Sequence, residues 1–78
     1  MKKPQRVRVY EYMVNNGGIT HMESFLKLGI CNLPGRIYDL RQAGVKIDKE
    51  HIVSKQEGNR IEYDRYFVAS DNQIVPTY

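Results

Sequence analysis

Few side chains in this sequence of 78 residues have the types and spacing that bond-making chemistry needs. The single cysteine, Cys31, and the two histidines, His21 and His51, form no C-x-x-C or H-x-x-x-H pair, so a zinc centre lacks its ligands. Asp48 with Glu50, and Glu62 with Asp64, alternate on strand-like sequence and could meet across a hairpin to hold a cation. Alternating acids of that kind are more commonly a solvated face. No glycine-rich phosphate loop and no Ser/His/Asp arrangement occurs. The expectation is a non-enzyme with no cofactor and no metal. What the chain does offer is recognition chemistry, concentrated between Asn32 and Gln42 and set among cations.

The charge is uneven. Up to Lys46 there are eight Lys/Arg against three acids, a balance of +5, and from Ile47 onward four bases against six acids, a balance of −2. A basic half beside an acidic half is the footprint of a polyanion binder, or of a solvated surface with uneven charge. Seventy-eight residues make one small domain, expected at residues 1–70 with a tail at 71–78. A core of that size gives a net stability of roughly 3–5 kcal/mol and argues against a deep enzyme pocket. One cysteine excludes an intrachain disulfide and suits a reducing compartment. The basic start has no apolar run behind it, and no stretch reaches the length of a membrane span. A cytoplasmic chain is expected.

The elements that must position the recognition residues follow from periodicity and punctuation. Pro4 suits a helix start, and Val9, Tyr12 and Met13 form one apolar row before Asn15-Asn16-Gly17-Gly18 stops the helix. Thr20-x-x-Glu23 is a capping box, so a second helix begins at His21, with Met22, Phe25 and Leu26 predicted to face the core. Leu28-Gly29-Ile30 ends it in a glycine turn, beside which Cys31 is expected to be small and partly buried. Asn32 caps a third helix with Pro34 in its first turn, Leu33, Ile37 and Leu40 inward, and Gly44 after its end. Beyond Gly44, Val45-Lys46-Ile47, Ile52-Val53 and Arg60 to Val68 read as strands around a turn at Gln56-Glu57-Gly58-Asn59 with a Gly-Asn tip. Alternation breaks at Ile52-Val53 and Tyr66-Phe67-Val68, which suggests a bulge. A short third strand at Ile19 is possible.

The order helix, helix-turn-helix, β-hairpin rests on Ile19-Thr20-x-x-Glu23, Leu28-Gly29-Ile30 and Asn32-Leu33-Pro34-Gly35-Arg36-Ile37-Tyr38-Asp39-Leu40-Arg41-x-x-Gly44. These residues resemble the short winged helix-turn-helix domains common in bacteriophages and prophages, over roughly residues 5 to 68. The resemblance implies an α+β fold of three helices and a hairpin wing. It also implies a double-stranded DNA-binding protein, a small phage or bacterial transcriptional regulator or a DNA-processing accessory, associated with the nucleoid.

With Leu33, Ile37 and Leu40 inward, Asn32, Gly35, Tyr38, Asp39 and Gln42 point outward, with Arg36 and Arg41 on the flanks. Asn32, Tyr38 and Gln42 are the base-edge candidates, Gly35 permits close approach, and Arg36 suits a guanine or a phosphate. Phosphate candidates are Lys2, Lys3, Arg6 and Arg8 on the first helix and His21, Ser24 and Lys27 by the second. Arg41, Lys55 and Arg60 complete the set, and the second helix's N-terminus is a possible anion site. Each has a plainer alternative: an Arg36–Asp39 surface pair, Arg41 bracing the hairpin, Tyr38 packed under the wing. Glu57 at the wing tip and the hairpin's acidity weaken a wing–DNA contact. They favour instead, with the six tyrosines and the Ile74-Val75-Pro76-Thr77-Tyr78 tail, a protein-binding winged helix that serves as an adaptor or inhibitor of a host factor. A homodimer is also open, through the tail unless that folds back over the core.

Overall fold

The computed structural model describes residues 3–76. Pro4 leads into α1, Gln5–Asn16, where its missing N–H has no helical partner. Val7, Val9 and Met13 are buried on α1, Val9 and Met13 within the main core, and the helix stops at Gly17 with a left-handed φ of 78°. Ile19–Thr20 form the short strand β1. Thr20 then caps α2, which opens at His21–Glu23 and continues as a π-helical segment, Ser24–Leu28. Gly29, at φ 69°, ends it, and Asn32 caps α3, Leu33–Gln42. Strands β2, Ile47–Gln56, and β3, Asn59–Val68, complete an antiparallel sheet of order β1-β3-β2.

The capping box is formed on both arms. The Glu23 N–H donates to Thr20 Oγ1 and the Thr20 N–H to a Glu23 carboxylate oxygen, each at 3.1 Å. Tyr12 donates to the other Glu23 oxygen at 2.9 Å, which fastens α2 to α1. That bond holds the phenol in its donor form and raises its pKa above the ordinary value. The Arg8 guanidinium donates to the Leu28 carbonyl at 3.0 Å and fastens the far end of α2.

These ties fix the roll of α2, and the roll is opposite to the one predicted. Ser24 is fully buried, whereas Met22, Phe25 and Leu26 are 64 %, 52 % and 66 % exposed. Thr20, Ser24 and Leu28 lie at i, i+4 and i+8, the row turned toward the core. Ser24 brings α2 close, and its hydroxyl donates to the Ile30 carbonyl at 2.8 Å, satisfying a buried acceptor. The core is built instead from Val9, Met13, Ile19, Ile30, Leu33, Ile37, Leu40, Val45 and Ile47.

The hairpin pairs without interruption from Ile47↔Val68 to Gln56↔Asn59, so no bulge forms. Its loop is Glu57-Gly58 rather than Gly58-Asn59, with φ of 51° and 81°, the two positive values of a type I′ turn. β1 is the third strand, pairing Ile19↔Tyr66 and Thr20↔Arg65. Ten-residue strands are about twice the usual length, so the outer half of the wing projects beyond the core. After β3 the chain folds back. Asn72 accepts the Lys46 N–H at 2.9 Å, Lys46 pairs with Asp71 at 3.1 Å, and Pro76 is buried. Thr77 and Tyr78, like Lys2, lie outside the described residues.

Candidate nucleic-acid interface

α3 is anchored through Leu33, Ile37 and Leu40, all at 2 % exposure or less, which fixes the opposite side as its free face. That face carries Pro34, Tyr38, Arg41 and Gln42. Tyr38 is 62 % exposed and does not pack under the wing. Gln42 is likewise exposed, in the last turn. Asn32 is exposed at the start, where its Oδ1 accepts the Gly35 N–H at 3.2 Å.

Gly35 serves that cap. A Cβ on residue 35 would collide with the Asn32 amide nitrogen, so the capping side chain folds over the space that glycine leaves. Glycine at this position thus has a local structural reason.

The cations divide into two groups. Arg36 turns toward α1, with Nε 3.2 Å from Asp39 and a terminal N–H donating to Gln5 at 3.3 Å. It forms the surface pair with Asp39 and also a bridge between α3 and α1. Its Nε is buried and, despite the short distance, not aligned for a hydrogen bond. Arg41 donates to the Ile47 carbonyl at 2.9 Å and so braces the base of the wing, while the residue itself stays exposed. Arg8 is held by Leu28 and Lys3 pairs with Glu11 at 2.8 Å, while Arg6 is half-buried on α1. Ser24 is removed from the phosphate set outright, because its hydroxyl is sealed in the core.

His21, Lys27, Lys55 and Arg60 form the other group, all exposed. Lys27 and Lys55 have no carboxylate at ion-pair distance among the described residues. Lys55 stands directly opposite Arg60 in the β2–β3 register, next to the turn. Like charges facing each other across a ladder are unfavourable without a counter-charge, and Arg60 has one in Glu62 at 2.9 Å. The α2 N-terminus is a poorer anion site than expected, since its Glu23 N–H is bonded to Thr20 and the Glu23 carboxylate sits beside it.

The acids of the wing do not gather into a cation site. Paired residues share a sheet face, so Asp48 and Glu50, opposite Phe67 and Arg65, lie on one side, and Glu62 and Asp64 on the other. Glu62 and Asp64 close on His51 instead, at 3.3 and 3.0 Å. Hydrogen bonds to Asp64 and then Glu62 raise the His51 pKa, and the same bond lowers that of Asp64. No group of three potential metal ligands occurs among the described residues. Cys31 is exposed rather than partly buried.

Two features were missed in the sequence. Gln5 as the partner of Arg36 left no signal, because the contact joins residues 31 apart. The exposed Met22–Phe25 surface could have been found from the Thr20/Ser24/Leu28 row, whose small central residue marks the side of closest approach. That surface meets Ile61 and Tyr63 of β3 in a groove of about 980 Å³, which touches α3 only at Leu33 and Pro34.

No helix among the described residues is long and apolar enough to cross a membrane. Comparison with curated proteins and with solved structures finds no match. A family model described as a winged helix-turn-helix domain matches residues 4–71, from the start of α1 through β3. The chain belongs to that family.

Proposed function

We propose that this protein binds double-stranded DNA with α3 in the major groove, as a small transcriptional regulator or DNA-processing accessory acting in the cytoplasm at the nucleoid. The observation that carries this is the free face of α3. Tyr38 and Gln42 stand one turn apart on a rigidly anchored helix, exposed and directed away from the core. An α-helix fits the major groove, and amide and hydroxyl groups there can pair with base edges. Asn32 adds its amide N–H₂ at the head of the helix.

Phosphate contacts fall to His21 and Lys27 on α2 and to Lys55 and Arg60 on the wing. Lys3, Arg6 and Arg8 supply a longer-range positive field from α1. Arg36 acts as a positioning residue, holding α3 against α1 through Gln5. The Lys55/Arg60 pair supports a wing contact despite Glu57, since a phosphate between them would relieve their repulsion.

The test is titration of a random duplex pool, followed by selection of the bound fraction at two salt concentrations. Log affinity should fall with log salt at a slope of about −0.9 per phosphate contacted. Lys55→Ala and Lys27→Ala should each flatten that slope by about one, and Gln42→Ala should erode sequence preference with the slope unchanged. Absence of any bound duplex at low salt would exclude DNA binding.

A further inference from the structure

The wing leaves a strand edge without a partner. β1 covers β3 only at Arg65 and Tyr66, because the chain turns into α2 after Thr20. From Asn59 to Asp64 the outer side of β3 therefore has no strand beside it among the described residues. Such an edge carries unpaired N–H and C=O groups, and proteins usually blunt it with a bulge, a proline or a covering loop. The ladder here is unbroken and the segment contains no proline, so its protection is limited to the charges of Arg60, Glu62 and Asp64 and to α2 beside its inner end. Beside the edge, Met22 and Phe25 are exposed, and Ile61 and Tyr63 on the strand itself are 45 % and 41 % exposed. An apolar surface flanking a free edge marks an interaction site.

We infer that a second copy of this chain occupies the edge, with the two β3 strands pairing antiparallel about a two-fold axis through Glu62. The sequence Arg60-Ile61-Glu62-Tyr63-Asp64 is self-complementary in that register. Arg60 faces Asp64 of the second copy, Ile61 faces its Tyr63, and both pairs occur twice by symmetry. Thr20, opposite Arg65, limits the pairing to these five residues. On one face Ile52 and Tyr63, already neighbours across β2–β3, meet the second copy's Ile61, so the apolar strip runs unbroken across the join. On the other face the two Glu62 carboxylates approach at the axis. Each already pairs with its own Arg60 at 2.9 Å and lies 3.3 Å from His51. The Met22–Phe25 groove beside the edge then receives the second copy's strand. The interface is small, and the dimer belongs to the weak class.

Sedimentation of the full chain without DNA, from about 10 µM to about 1 mM, reads the association directly and independently of the DNA-binding proposal. A reversible monomer–dimer equilibrium is expected. Arg60→Asp sets a carboxylate against Asp64 of the second copy, and Asp64→Arg sets a guanidinium against its Arg60. Each variant alone should therefore weaken the dimer by about tenfold. A one-to-one mixture of the two variants should associate more tightly than either alone, because the heterodimer sets opposite charges against each other at both of its outer pairs and leaves the like pairs to the homodimers it displaces. Glu62→Gln should tighten the dimer by about threefold by removing the like charges at the axis. Slowed amide exchange at residues 60–64 with rising concentration, measured on the native chain, reports the same edge should a variant fold poorly. A chain that stays monomeric throughout overturns the inference and leaves the edge to an extended segment of another protein. A dimer that is indifferent to the charge reversals also overturns it, placing the contact on a different surface.

Discussion

α2 and α3 carry the same apolar signature and use it in opposite ways. Leu33, Ile37 and Leu40 on α3 are sealed in the core, whereas Met22, Phe25 and Leu26 on α2 lie more than half exposed. The difference comes from what fastens each helix. α3 is held by its apolar row, and its polar face is left outward. α2 is held by polar ties: the Thr20/Glu23 box, the Tyr12–Glu23 bond, the Arg8–Leu28 bond and the Ser24–Ile30 bond. Those ties turn its smallest face inward and its apolar face out. Periodicity shows that a helix has a face, not what will cover it.

The sharpest way to break this contrast is truncation of each row. Leu40→Ala should cost about 2–5 kcal/mol of unfolding free energy, a large share of a small domain's total. Met22→Ala and Phe25→Ala should stay within about 0.5 kcal/mol in urea unfolding of the dilute monomer. A large loss at Phe25 would mean that α2 buries its apolar row in solution.

Ser24→Ala comes next. It strands the Ile30 carbonyl and should cost about 1–3 kcal/mol, whereas the same change at an exposed serine would be neutral. Thr20→Ala removes one arm of the capping box and should cost about 1 kcal/mol, read in the same unfolding series.

The smallest effect concerns pH. His51 is raised by its two carboxylates, so its contribution to stability is complete below the unfolded imidazole value of about 6.5 and fades as pH rises through the higher folded value. Asp64 is lowered, so its share holds above the unfolded carboxylate range and fades on acidification through its folded value. The unfolding midpoint should therefore fall slightly between pH 6 and 8, and His51→Gln should flatten that decline.

Much of the frame was legible because it is local. The capping box, the left-handed Gly29, the Asn32 cap and the α3 row each depend on residues close to one another in the chain. The hairpin was legible in outline. Its register was not, because Ile52-Val53 and Tyr66-Phe67-Val68 satisfy neither face cleanly, and only the Glu57-Gly58 turn sets which residues oppose. That parity in turn decides that Asp48 and Glu50 lie on the face opposite Glu62 and Asp64. The candidate site divides in the same way. Tyr38 and Gln42 follow from the helical period of α3. The uses of Arg8, Arg36 and Arg41 depend on contacts to Leu28, Gln5 and Ile47, two of them far along the chain. A basic residue near a helix-turn-helix is as able to brace the fold as to meet a phosphate.

The free face of α3 remains the central claim, and one measurement addresses it most directly. Duplexes selected by the native protein are compared with those selected by Tyr38→Ala/Gln42→Ala, with folding of both checked by unfolding midpoint. The double variant should keep its stability within about 1 kcal/mol, keep the salt slope, and lose the selected sequence preference. Unchanged preference in a folded double variant would contradict the assignment of α3 as the element that reads bases.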